Sequence, residues 1–360
     1  MSGTGQMGHA NSTTLRLPAP AKLNLCLHVT GRRADGYHEL ETLFQLLDFG
    51  DEVQLTLMQG PGVRRIGNIP GVEEEADLSV RAARLLAAHC QCRRGVNIRL
   101  SKRLPLGGGL GGGSSDAASV LVGLNELWEL GLHKDELAQL GLQLGADVPV
   151  FIHGHSAFAQ GVGEKLRRVS LPQQWFVVLW PPIQVETSAI FSSASLTRDT
   201  PHLKIAGFPW NLHTKNGLDG FWARTHNDCE PVVRALQPQV AATLDVLARY
   251  GPARMSGTGA CAFARFAEED EAHRVLEDVR LGLVKGLGKG LGKGLARGLD
   301  REPAKGLHNG PAAERRFEAG KGDGAQWPPG LNGFVARGVN RSPLAVAMDT
   351  VAQRRLDAAK

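Results

Sequence analysis

The stretch Pro105-Leu106-Gly107-Gly108-Gly109-Leu110-Gly111-Gly112-Gly113-Ser114-Ser115-Asp116 decides how this chain is read. Glycines let a backbone turn tightly and aim several N–H groups at one anion. The run that follows carries Leu121, Leu124, Leu127 and Trp128 at helical spacing, which predicts a helix over Ser114–Leu130. The positive end of its dipole points into the space enclosed by the glycines. Ser114 and Ser115 can each cap that helix or donate to a phosphate, and the two roles compete. A flexible linker is the alternative, but linkers rarely open directly onto an apolar helix, so phosphate binding is the favoured reading.

Known phosphate loops narrow the choice. Gly107-x-Gly109-x-x-Gly112 satisfies the dinucleotide pattern, but a Rossmann unit needs an acidic strand end some twenty residues later, where this chain reads as helix. No G-x-x-x-x-G-K-[ST] occurs, and the protein-kinase signatures are missing.

Outward from the loop, Ala21 to Val29 alternates, with Leu23, Leu25, Leu27 and Val29 opposite Lys22, Asn24, Cys26 and His28, which predicts a half-buried strand. Lys22 and Asn24 therefore point the same way. Further strands are predicted at Val53–Leu57, Val96–Leu100, Ala157–Ala159, Trp175–Trp180 and Cys261–Phe266. Helices are predicted at Leu78–His89, Lys134–Leu144, Pro231–Ala248 and Glu269–Val279. Strands and helices mix without strict alternation, so the class is α+β. Asp147, in Gly-Ala-Asp147-Val-Pro-Val-Phe151, reads as either a helix cap or a functional carboxylate.

At 360 residues and 42% apolar content the chain can fill two cores, and it has no apolar run of membrane-spanning length. The segment 1–14 is polar and lacks the apolar stretch of a secretory signal, so a disordered tail and a cytoplasmic location are expected. Cys26, Cys90, Cys92, Cys229 and Cys261 are odd in number and lack redox or zinc spacing, so all five are read as reduced thiols and no metal-ligand set is expected. The net charge of +5 is local: between Arg280 and Ala325 ten Lys/Arg face five Asp/Glu, and the remainder is formally neutral. That segment, 281–325, repeats Lys-Gly-Leu-Gly and is expected to be a disordered, dispensable insertion. Without interleaved aromatics it gives no reason to expect specific nucleic-acid binding.

Pro-x-x-x-Gly-Leu-Gly-Gly-Gly-Ser-Ser resembles the second motif of the GHMP kinases. Pro20-Ala-Lys22-Leu-Asn24 and Ser256-Gly-Thr258-Gly259-Ala260 resemble the motifs that flank it. Gly36-Tyr37-His38-Glu-Leu40, the Asp147 stretch and Leu331-Asn-Gly-Phe-Val335 resemble the branch that phosphorylates the 2-hydroxyl of 4-diphosphocytidyl-2-C-methyl-D-erythritol in non-mevalonate isoprenoid synthesis. The resemblance implies two domains. The first, residues 15–160, is like ribosomal protein S5 domain 2; the second, 161–280 with 326–345, is ferredoxin-like, and a tail covers 346–360. It further implies ATP and Mg²⁺ as cofactors, a monomer or weak homodimer, Asp147 as base, and Lys22 holding that carboxylate and the acceptor hydroxyl. Asn24 would bond substrate, and Tyr37, His38 and Phe191 would hold the cytidine. Residues Pro105 to Ser115, with Thr258 and Gly259, would surround the ATP phosphates. Ala76-Asp77-Leu78-Ser79 departs from the Asp-Asn pair usual there, leaving Asp77 as a candidate ATP contact. The rivals are another GHMP small-molecule kinase and a non-catalytic sensor of the same fold.

Overall fold

A computed structural model describes residues 14–203, 211–282 and 330–358. The terminal segment expected up to residue 14 and the insertion expected over 281–325 lie outside these residues, except for Thr14, Leu281 and Gly282. Two long antiparallel strands form the spine, β1 (Thr14–Arg32) and β2 (His38–Met58). The sequence suggests a separate strand at Val53–Leu57. Instead β2 runs straight through. A Cβ on Gly50 would stand 2.1 Å from the Ala19 carbonyl, so this glycine marks close backbone approach rather than a chain reversal.

β3 (Val63–Arg65) and β4 (Gly95–Ser101) extend the sheet beyond the second half of β2, and β5 (Ala157–Gly161) and β6 (Lys165–Arg168) beyond its first half. The domain boundary expected after residue 160 would split the β5–β6 pair. The pairing supports a boundary past Arg168 instead. Four helices belong to this lobe: α1 (Leu78–His89), α2 (Gly112–Leu127), α3 (Lys134–Leu142) and α4 (Val148–His153). Their apolar faces close one core with β2 and β4, around Phe44, Leu55, Ile98, Leu121, Leu124 and Phe151.

The second lobe contains β7 (Trp175–Trp180), α5 (Thr187–Ser192), α6 (Lys215–Arg224), α7 (Cys229–Leu236) and α8 (Pro238–Leu247). It continues through β8 (Ala253–Met255), β9 (Ala262–Phe266), α9 (Glu269–Arg280) and β10 (Asn332–Val339). The single helix predicted over Pro231–Ala248 is two, broken at Gln237-Pro238, because proline cannot continue the ladder it would join. The sheet order β10-β7-β9-β8, with helices connecting β7 to β8 and β9 to β10, is the ferredoxin-like arrangement that the resemblance implies. The stretch expected as a tail from 346 is the body of α10 (Pro343–Ala358). β10 also touches β2 at Gly338 and Val339, joining the two sheets.

β1 is covered on both faces, not half-buried. Leu23, Leu25 and Cys26 enter a core shared with Phe176, Phe221 and Phe263, while Lys22, Asn24 and His28 are also almost fully enclosed. The buried polar side chains on β1 lie at the junction of the lobes. All five cysteines are free thiols, as expected, and burial pushes Cys26 and Cys229 up to about 12.

Candidate active site

A cavity of about 460 Å³ opens between the lobes, with Lys22, Asn24, Thr42, Gly107, Gly109, Ser114, Asp147, Phe191, Gly257 and Thr258 among its walls. The Lys22 ammonium reaches three partners: Asn24 Oδ1 at 2.5 Å, the Gly109 carbonyl at 3.1 Å and Asp147 Oδ2 at 3.1 Å. A cation that has used all three of its donors is held in one place. Asp147 stands at the N-terminus of α4 but accepts no capping bond from it. Its carboxylate is turned to Lys22 and is about one-third exposed, toward the cavity. The alternative of a helix cap is thereby removed.

The glycine loop is shaped by backbone contacts. Gly107, Gly109 and Gly111 have φ of 65°, 77° and 72°, the left-handed region that favours glycine. At Gly109 an added Cβ would lie 2.1 Å from the Ser256 carbonyl. Cys261 N donates to the Gly108 carbonyl at 3.1 Å, and Lys22 N to the Leu110 carbonyl at 3.0 Å. Ser256 ties the three motifs together: its hydroxyl donates to the Gly109 carbonyl at 2.8 Å and accepts from Asn24 N at 3.1 Å. Asn227 Nδ2 fastens the same turn through the carbonyls of Met255 and Gly257.

Helix α2 begins at Gly112 with Gly111 as its cap, so neither serine caps it. Ser114 lies on the cavity wall, and the buried Ser115 hydroxyl has no hydrogen-bond partner among the described residues. Pro105, Leu106, Gly108, Gly111, Gly112 and Gly113 shape the loop without lining the cavity, and Leu110 enters the core. Thr258 lines it and shares a hydroxyl–hydroxyl bond of 2.9 Å with Thr187, whereas Gly259 sits behind. Asp77 is not brought to the cavity. It caps α1 by accepting from Ser79 N at 2.8 Å and pairs with Arg65 at 3.0 Å, so both oxygens are engaged. Its neighbour Leu78 lines the wall instead.

A second cavity of about 560 Å³ adjoins the first through Leu40, Ala146, Val162, Thr187 and Phe191. Tyr37, 65% exposed, and His38 line it. The His38 and Phe191 rings stack at 5.1 Å with 29° between planes, bringing together residues that sequence alone leaves far apart. Asn24 lines the first cavity, its amide oriented by two bonds: Oδ1 accepts from Lys22 and one Nδ2 hydrogen is donated to Thr42 Oγ1 at 2.8 Å. Below the glycine loop, Lys102 lies between Asp51 and Asp116, 2.6 Å from the latter, and Asp51 also accepts from Leu104 N at 2.8 Å. Ser256 belongs to the loop expected beside the phosphates, whereas Asn227 and Lys102 are not among the residues expected from sequence, and nothing local marks either.

The chain matches the family model for the GHMP kinases N terminal domain over residues 77–155 and that for the GHMP kinases C terminal domain over 215–285. A 4-diphosphocytidyl-2-C-methyl-D-erythritol kinase of Marinobacter nauticus is 51% identical over 92% of this chain and 96% of its own length. One of Thiobacillus denitrificans is 54% identical over 72% of this chain and 89% of its own. Among solved structures, a crystal structure of 4-(cytidine 5'-diphospho)-2C-methyl-D-erythritol kinase superposes with a TM-score of 0.61 at 34% identity, covering 74% of this chain and 95% of that one. A homoserine kinase from Cytophaga hutchinsonii, 16% identical with a TM-score of 0.57, shares the fold over 94% of this chain and 98% of its own.

Proposed function

The chain belongs to the 4-diphosphocytidyl-2-C-methyl-D-erythritol kinase family of the GHMP kinases, and on that premise we propose how its own residues divide the work. It is an ATP-dependent phosphotransferase with an alcohol acceptor, the 2-hydroxyl of 4-diphosphocytidyl-2-C-methyl-D-erythritol. Asp147 takes the proton from that hydroxyl. Lys22, 3.1 Å from the carboxylate, holds it in place and presents positive charge where the phosphoryl group arrives. The Lys22–Asp147 pair on the cavity floor, beside the glycine loop, is the observation that carries this reading.

Phosphoryl transfer asks chiefly for positioning and charge stabilisation. Gly107 and Gly109 on the cavity wall and the start of α2 supply N–H groups for the ATP phosphates, the rest of the loop from Pro105 to Gly113 shapes that backbone, and Thr258 faces the same cavity with Gly259 behind it. Asn24, its amide anchored by Lys22 and Thr42, borders the acceptor. Tyr37, His38 and Phe191 hold the cytosine by stacking and hydrogen bonding in the adjoining cavity. The buried, unpartnered Ser115 hydroxyl and the Ser114 hydroxyl on the wall are oxygen donors of the kind Mg²⁺ takes alongside phosphate oxygens. Bound there, the ion would neutralise charge on the transferring group. Asp77 acts through α1, not on ATP. We further place the enzyme in the cytoplasm as a monomer or weak homodimer. No helix among the described residues is long and apolar enough to cross a membrane, and the large apolar side chains that are exposed are spread along the chain.

The test is an ADP-release assay with a panel of alcohols. The diphosphocytidyl substrate should give the highest kcat/KM by orders of magnitude. Comparable turnover of homoserine or mevalonate would overturn the assignment.

A further inference from the structure

We propose that Arg198 is a positioning residue for the base cavity, fixing His38 in its neutral Nδ1–H tautomer and locking the His38–Phe191 jaw. This rests on the assignment of that cavity to the cytosine. Arg198 Nε donates to His38 Nε2 at 3.1 Å. A guanidinium has five donors and no acceptor, so Nε2 must carry the lone pair and the ring proton must sit on Nδ1. Among the described residues no hydrogen bond to Nδ1 is found, and the ring lines the cavity, so Nδ1–H is left for a ligand acceptor such as a pyrimidine carbonyl or ring nitrogen.

The guanidinium is itself held. Its NH1 donates to the Leu196 carbonyl at 3.0 Å, and NH2 to the carbonyls of Phe191 and Ser193, both at 2.8 Å. One cation thus fixes the tautomer of one jaw and the backbone of the residue that supplies the other. The charged groups around the ring agree. Burial, Arg198 and Arg32 all lower the His38 pKa, and Asp35 is the only acid that shares the cavity wall among the described residues. All three act to favour the neutral ring.

The first measurement needs no mutation: ¹⁵N NMR of the intact protein should show the His38 ring with protonated Nδ1 and bare Nε2. An Nε2–H pattern would overturn the proposal, whatever the substrate proves to be. In Arg198→Leu the ring should become a tautomer mixture with a higher pKa. The KM for the diphosphocytidyl substrate should rise roughly tenfold, the scale of one hydrogen bond, with kcat and the KM for ATP little changed. Arg198→Lys keeps a donor and should recover the Nδ1–H signature with part of the affinity. An unaltered substrate KM in Arg198→Leu would refute the role. So would equal losses for both substrates in the leucine and lysine variants, which would mark Arg198 as merely structural. Absence of turnover with this substrate in the wild type would sink the functional assignment but leave the NMR result to decide the tautomer.

Discussion

Where the phosphate end of the cavity is walled by backbone, the base end is walled by side chains. Gly107 to Gly113 is pinned by main-chain bonds from Lys22 and Cys261 and by the Ser256 hydroxyl. Tyr37, His38 and Phe191 come from an exposed turn, the first residue of β2 and a six-residue helix, joined by a ring stack and one arginine. A backbone cradle tolerates almost no added atom, but it holds any phosphate. A side-chain clamp can be re-cut one residue at a time, so specificity can change while the transfer machinery stays intact.

The sharpest way to probe that division is at the catalytic pair. Asp147→Asn should fold normally and bind ATP, yet lose kcat by about a hundredfold or more, the scale for losing a general base. Near-normal turnover would remove Asp147 from the mechanism. At the cradle, Gly109→Ala adds a Cβ that collides with the Ser256 carbonyl, at a φ costing an L-residue roughly 1–2 kcal/mol. The KM for ATP should rise by about tenfold or more with a lowered Tm. A larger effect on the other substrate would break the comparison.

At the clamp, His38→Ala should raise the KM for the diphosphocytidyl substrate by roughly tenfold, through loss of a stack and a hydrogen bond, and leave the KM for ATP nearly unchanged. If both constants rise together, the pair is structural.

The support beneath the cradle gives a pH test. Lys102 serves two buried carboxylates, and burial pushes Asp116 up to about 7. The folded protein then keeps a proton that the unfolded chain releases near pH 4. Stability from this group is full below that pH and is lost as pH rises to about 7. Asp116→Asn should flatten that decline in urea titrations at pH 5 and 8. An unchanged slope would mean that Asp116 is ionised in the folded state. The smallest effect is expected from replacing residues 281–325 by a short Gly/Ser linker: kcat within about threefold, since loop closure depends only weakly on length. A folded but inactive product would show that the segment takes part in the reaction.

The same contrast explains what the sequence could reveal. Backbone sites leave a compositional trace, because only glycine allows the φ values and the close approach at Gly109. The loop was therefore readable without any structure. Strand alternation placed Lys22 and Asn24 on one face, but burial of both faces of β1 depends on a second lobe arriving from more than a hundred residues away. Asp77 is a candidate ATP contact by resemblance alone, while Asp77-Leu-Ser79 is itself a capping pattern, and Arg65 completes its pairing. Arg198, Asn227 and Lys102 were illegible for a simpler reason. Lone cations and amides have no local signature, and their partners lie 160, 30 and 51 residues away in the chain.

β10 lies between β2 and β7, in the middle of the joined sheets, yet of the described strands it is the last to be synthesised. On a ribosome adding about 5–20 residues per second, the edges of β2 and β7 that it will cover stay open while the preceding segment is made. During those seconds the nascent chain carries two unpaired strand edges on lobes that already have cores to collapse around. A chaperone that shields such edges has its longest opportunity here. A message that slows translation after residue 282 would prolong the exposure, whereas any truncation before residue 332 would make it permanent.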